Sequence, residues 1–130
     1  MTRIKETAGA EIWAAPKDIL PDSEFAVILY GPSLLEENRA GGERFMRAYL
    51  RAVRQYNEGK TDRNVEILAK YTELDQDLIR EICWPAIRDD GQINAGSVIQ
   101  FQEWGLERGL LDSVVSEEEF WDSSFIDKAN

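Results

Sequence analysis

FAVILYGPSLLEENRAGGERFMRAYLRAVRQYN, residues 25–57, decides the fold. Phe25 to Tyr30 is continuously apolar and rich in strand formers, and Gly31-Pro32 closes it, so it reads as a short strand buried on both faces. At Pro32 the period turns helical. Pro32 suits a first helical turn, giving a short helix through Leu34, Leu35 and Glu37 that breaks near Gly41-Gly42. A longer helix over about 43–57 follows. Phe45, Tyr49, Ala52, Val53 and Tyr56 share one face of it, and Arg44, Arg47, Arg51 and Arg54 share another. Glu58-Gly59-Lys60 ends it.

Downstream of this stretch, short helices are tied by brief loops. Thr61 or Asp62 caps a helix with Val65, Leu68, Ala69 and Tyr71 as its apolar set. Asp75 caps the next, which buries Leu78, Ile79, Ile82 and Cys83 and stops at Trp84-Pro85. Arg88-Asp-Asp-Gly91 is a turn by composition. Asn94 caps a helix carrying Val98, Phe101, Trp104 and Leu106, and Gly109 ends it. Ser116-Glu-Glu-Glu119 has the capping-box pattern and opens a last short helix with Phe120 and Trp121. Upstream, residues 1–23 are irregular. Glu11 to Ala15 can form a short strand, and Pro16 and Pro21 punctuate the rest. The fold class expected is mainly α with a short β element.

Composition removes whole classes of function. At 130 residues, with 43% hydrophobic and 31% charged, the chain has the balance of one globular domain. A net charge of -10 argues against nucleic acid and against anionic membrane surfaces, both of which need clustered Lys and Arg. The longest apolar run is too short to span a bilayer. Met1 to Thr7 lacks the apolar core of a signal peptide, which places the chain as written in the cytoplasm. Histidine is absent and the only cysteine is Cys83, so histidine-based triads and imidazole metal sites are excluded. Cys83, between Ile82 and Trp84, reads as a small buried apolar residue. No enzyme, metal or cofactor is expected.

Several polar features invite a site. The arginine stripe, with Arg47, Arg51 and Arg54 at its centre, is a docking face for an acidic partner or simply a solvated face in an acidic chain. Asp75-x-Asp77 is what a helix N-terminus selects in any case. Asp89-Asp90-Gly91 with Asn94 lacks the alternating ligands and closing Glu of a calcium loop. Trp13, Trp84, Trp104 and Trp121 can stack a planar ligand, but tryptophan at helical spacing more often lies in a core. Gly41-Gly42 lacks the spacing and the Lys of a phosphate loop.

The order of the features is itself informative. Phe25-Ala-Val-Ile-Leu-Tyr-Gly-Pro32 leads to Phe45-Met-Arg-Ala-Tyr-Leu-Arg-Ala-Val-Arg-Gln-Tyr-Asn57. Val65-Glu-Ile-Leu-Ala-Lys-Tyr-Thr72 and the Leu74 to Leu78 step come next. Cys83-Trp-Pro-Ala-Ile87, Asp90-Gly-Gln-Ile-Asn94, Phe101-Gln-Glu-Trp104 and Gly109-Leu110 complete the series. From about Leu20 to Phe125 this succession resembles the C-terminal part of the solute-binding proteins that serve sulfonate, nitrate, taurine and thiamine-pyrimidine ABC importers.

The resemblance implies the helical C-terminal portion of a type II periplasmic-binding-protein-like α/β fold. Residues 24–130 would be a crossover strand plus the helical end of a lobe. A complete member is over twice this length and closes two lobes on a small solute. The parent would work outside the cytoplasm with an ABC permease as partner. Tyr30 and Ser33 are the positions the resemblance places near the cleft. The sheet of the first lobe and most of the second have no counterpart here, so the chain reads as a truncated piece that does not bind solute alone. A eukaryotic branch of the fold makes the thiamine pyrimidine with iron by consuming a histidine, which this chain lacks. An orphan apolar strand leads to the expectation of a homodimer through Phe25–Tyr30. The alternative is a stand-alone helical interaction or regulatory module that uses the arginine face.

Overall fold

This computed structural model describes residues 4, 7–24 and 26–129, and among these described residues helices are the only regular elements. They are α1 (Pro16–Ile19), α2 (Arg39–Asn57), α3 (Asp62–Thr72), α4 (Gln76–Glu81), α5 (Ala95–Glu107), α6 (Glu117–Phe120) and α7 (Ser124–Asp127). A π-helical turn, Ser33–Glu37, precedes α2. The protein is mainly α. Neither expected strand forms a ladder: residues 11–15 and 26–30 lie outside any regular element, and Phe25 falls outside the described residues. The chain divides into two compact units, Met1–Trp13 with Tyr49–Asp89 and Ala14–Ala48 with Asp90–Asn130.

Helix α2 does not break at Gly41-Gly42. Asn38 ends the π-helical turn by donating its N–H to Ser33 O, and its Oδ1 accepts from Gly41 N at 3.0 Å. Gly41 N and Gly42 N also donate to Asn38 O at 2.8 and 3.2 Å, so Asn38 anchors the first turn with both of its oxygens, and the helix starts at Arg39 and carries both glycines. Its buried face runs through Gly42, Leu50 and Val53. Phe45, expected in the core, is half exposed because the inward face is rotated toward Gly42.

In the first unit, Thr61 caps α3 through Asn64 N, and Glu73 closes it in the left-handed conformation. Asp75 caps α4 by accepting from Asp77 N at 2.8 Å. The two helices pack on Val65 and Ile79, both fully buried. Helix α4 stops at Glu81, earlier than expected, because Ile82 turns extended on the way to Pro85. Trp84 Nε1 donates to Ile79 O at 2.9 Å, supplying a partner near that helix end. Two expected core residues are outside: Tyr71 is exposed, and so is Cys83, since α4 ends before it could face inward.

In the second unit, Asn94 caps α5 by accepting from Ser97 N. A Schellman ending closes that helix: Gly109 at φ +69° donates to Leu106 O, and Leu110 N donates to Gly105 O. Phe101 and Trp104 are not core residues. They are 64% and 43% exposed and stack on each other at 5.5 Å, with the Arg108 guanidinium 4.8 Å from the Trp104 ring centre. The capping box at Ser116 is formed, with Glu119 accepting from Ser116 N. Phe125, Ile126 and Ala129 supply the buried apolar surface of the C-terminal segment.

Candidate functional site

Tyr30 stands at the junction between the apolar segment and α2. Its hydroxyl donates to Gly42 O at 2.7 Å, and its ring meets Phe125 edge-on at 5.0 Å and Phe45 at 5.9 Å. Gly42 makes this approach possible. A Cβ there would lie 2.8 Å from Phe125 Cε1 and 3.0 Å from Tyr30 Cε2, closer than side-chain atoms tolerate. Burial pushes the Tyr30 phenol above its ordinary value, favouring the neutral donor already engaged with Gly42. The Arg39 guanidinium lies 4.2 Å from the Phe125 ring centre and donates to Asp122 at 3.1 Å and to Ser124 Oγ. Tyr30 is therefore spoken for by packing. Ser33 is exposed at the start of the π-helical turn and gives its carbonyl to Asn38 N.

The arginines are divided by role. Arg47 Nη2 donates to Lys128 O at 2.9 Å, at the end of α7, while Lys128 Nζ pairs with Glu43 at 2.7 Å. Arg51 and Arg54 are exposed farther along α2, in the other unit. The sequence placed these residues on one helical face, and they share that helix; Arg47 spends its guanidinium on closing α7.

The first unit holds an open apolar groove of about 270 Å³ between the end of α2 and α3. Val53, Ile67, Leu68 and Ile87 line it with Tyr49, Ala52, Gln55, Tyr56 and Asn64. Three of its polar residues, Gln55, Tyr56 and Asn64, are already hydrogen-bonded. Tyr56 OH donates to Pro85 O at 3.0 Å and its ring stacks on Trp84 at 5.2 Å. Burial, and secondarily the charge of Cys83, raise the Tyr56 phenol. Asn64 is the buried polar residue of the unit. Its Nδ2 donates to Gln55 O and Gly59 O at 2.7 and 2.8 Å, and its Oδ1 accepts from Gln55 Nε2 at 3.1 Å. Nothing in the sequence reading singled out Asn64; the cue was an amide three residues after the capping Thr61, just past a glycine-ended helix.

The arrangement offers apolar contact and satisfied hydrogen bonds. Among the described residues no buried side-chain nitrogen or oxygen lacks a partner, and no three acidic, cysteine or histidine side chains cluster as metal ligands do. Asp90 Oδ1 accepts from Gln92 N at 2.9 Å, a local turn bond at Asp89-Asp90-Gly91. No described helix is long and apolar enough to cross a membrane. Comparison with models of known protein families, with curated proteins and with solved structures finds no match to this chain.

Proposed function

We propose that this chain is the helical C-terminal portion of an ABC-importer solute-binding protein of the sulfonate, nitrate, taurine or thiamine-pyrimidine class. On this reading the type II binding-protein lobe is incomplete here. The chain carries no catalysis and no competent cleft by itself, and its parent acts outside the cytoplasm with a permease. One observation carries the reading. Residues 26–30 are apolar throughout, yet Val27, Ile28 and Leu29 are 50%, 38% and 85% exposed and no backbone hydrogen bond engages the segment among the described residues. An apolar run of that kind is what a crossover strand becomes when its neighbouring strands belong to another part of the protein. The engagement of Tyr30, and of Gln55, Tyr56 and Asn64 in the groove, supports the expectation that solute recognition lies elsewhere in the parent.

Titration with taurine, nitrate and a small pyrimidine, read by melting temperature, tests the absence of a cleft. No shift is expected up to millimolar ligand, and a saturable rise for one of them overturns it. Genes for an ABC permease and ATPase are expected beside this one; a locus with neither counts against the importer class. A second reading, a helical interaction module, draws on the exposed stack of Phe101 and Trp104 with Arg108. Under it, Trp104→Ala would abolish partner capture without lowering stability.

A further inference from the structure

We infer that residues 26–30 are a strand-pairing site for a second copy of this chain, in an antiparallel two-fold register centred on Ile28. Although it uses the same segment as the importer reading, the inference is separable from it.

The segment is presented rather than loose. On its N-terminal side Asn94 Nδ2 donates to Asp22 O at 2.9 Å, Asn94 N donates to Glu24 Oε1 at 2.7 Å, and Glu24 N donates to Ser97 Oγ at 3.1 Å. At its C-terminal side Tyr30 is held by Gly42 O and Phe125. Residues 26–29 are all exposed between these anchors. Val27 and Leu29, at 50% and 85%, face water more than Ile28 at 38% and the half-buried Tyr30. Ala26 is exposed as well, so the segment lies uncovered up to Tyr30. Among the described residues its backbone donors and acceptors make no backbone hydrogen bond, the condition under which an edge accepts another strand.

Charge selects the occupant. Two copies each carrying -10 repel over most of their surfaces, but no charged residue occurs from Phe25 to Leu35. The nearest carboxylate, Glu24, is already bonded to Asn94 N. An uncharged apolar edge disfavours a charged peptide, whose charges it cannot pair, and matches its own sequence. About a two-fold at Ile28 the register sets Val27 against the partner's Leu29, Ala26 against the partner's Tyr30, and Ile28 against the same residue of the second copy. No like charges oppose one another, and Pro32 stops the ladder from growing. So short a ladder buries less than the ~800 Å² per partner of a stable interface, so the dimer is weak and concentration-dependent.

Sedimentation equilibrium on the whole chain, from about 10 µM to about 1 mM at low salt, tests this in the range where so small an interface associates. A reversible dimer is expected, with hydrogen exchange slowing at alternate amides of residues 26–30 as the concentration rises. Ile28→Lys and Ile28→Glu each set like charges opposite one another and are expected to lose the dimer, with circular dichroism unchanged because Ile28 is partly exposed. Mixing the two variants is expected to restore association. A wild type monomeric at the highest concentration overturns the proposal. So does a dimer that survives Ile28→Lys, or a mixture that stays monomeric. A monomeric wild type beside permease and ATPase genes would leave the importer reading standing, whereas a dimer at a locus lacking them would remove only that reading.

Discussion

Two junctions fasten chain segments to α2, and they are built in opposite ways. In the first unit Asn64 reaches back nine positions to Gln55 with hydrogen bonds alone. In the second, Phe125 packs edge-on against Tyr30, and the bonds of Arg39 to Asp122 and Ser124 span 83 and 85 positions. The polar junction replaces something the helix end lacks. Gly59 N donates to Tyr56 O as a Schellman ending requires, but the bond to Gln55 O that the next amide would supply comes from Asn64 Nδ2. The aromatic junction depends on an atom that is missing, the Cβ of Gly42. A junction made of directed bonds between near neighbours closes on itself. The junction of rings from distant segments holds Tyr30 and leaves Val27 and Leu29 uncovered beside it.

The largest expected effect breaks the aromatic side. Phe125 is 3% exposed, and Phe125→Ala removes a buried ring whose neighbours cannot all collapse, at a cost of about 3–5 kcal/mol in urea unfolding. Gly42→Val, which instead forces atoms together, is expected to cost about 1–3 kcal/mol. If Phe125→Ala costs under ~1 kcal/mol, well below the range for a buried aromatic, the second unit is not held at this junction.

On the polar side, Asn64→Ala takes the second donor from Gln55 O and Gly59 O, which keep Glu58 N and Thr61 N, and leaves Gln55 Nε2 without its partner. Only Asn64 itself is buried and both carbonyls stay paired, so the lost bonds are expected to cost about 1–2 kcal/mol. Asn64→Asp sharpens the point, since it keeps the acceptor and loses both donated bonds. It should be no more stable than Asn64→Ala if those donated bonds do the fastening, as chemical denaturation of both variants would reveal.

The two junctions also differ in how legible they were. Thr61, Asp75, Asn94 and Ser116 were recognisable as caps because a cap acts over two or three residues, and all four act as caps in the structure. Gly109 was legible for the same local reason. The arginine face of α2 was read correctly as one helical stripe, but the bond of Arg47 to Lys128 O was invisible, because periodicity carries no information about a segment 81 positions away. The reading of Gly41-Gly42 as a breaker weighed helix propensity and missed that Asn38 caps the turn and that rings need the space at Gly42. The burial of Phe25 to Tyr30 was expected from hydrophobicity alone. Burial needs a covering surface, and the described chain provides one for Tyr30 but not for Val27 or Leu29. Of the candidate site residues, Tyr30 packs against Phe45 and Phe125 and bonds to Gly42 O, partners that spacing does not reveal.

A smaller effect separates arginines that the sequence treats alike. Arg47→Ala removes a donor from the carbonyl end of α7 and is expected to cost about 0.5–1.5 kcal/mol. Arg51→Ala, on an exposed position, should fall within about 0.5 kcal/mol of wild type. Equal losses for the two in thermal unfolding would mean that the bond to Lys128 O contributes nothing.

The smallest effect concerns acid. Asp122 is held below its ordinary value of 3.8, first by the Ser124 hydroxyl and also by Ser124 N–H and the Arg39 guanidinium, against an opposing desolvation. A depressed carboxylate adds stability that is present above its unfolded value and is lost as pH falls through the folded one. The pair with Arg39 is exposed to solvent at 40% and 45% of its side chains, so screening limits the contribution to under ~1 kcal/mol. Asp122→Asn should therefore be slightly less stable than wild type at neutral pH. Below pH 3.8 the difference should shrink, because the wild-type carboxyl is then becoming neutral too. The check is a pair of unfolding curves taken from neutral pH down to about pH 2, inside the acid window where linkage acts. A gap that stays constant through the acid range would assign the loss to altered hydrogen bonding at Ser124 and not to charge, leaving the aromatic junction with no electrostatic support from Asp122.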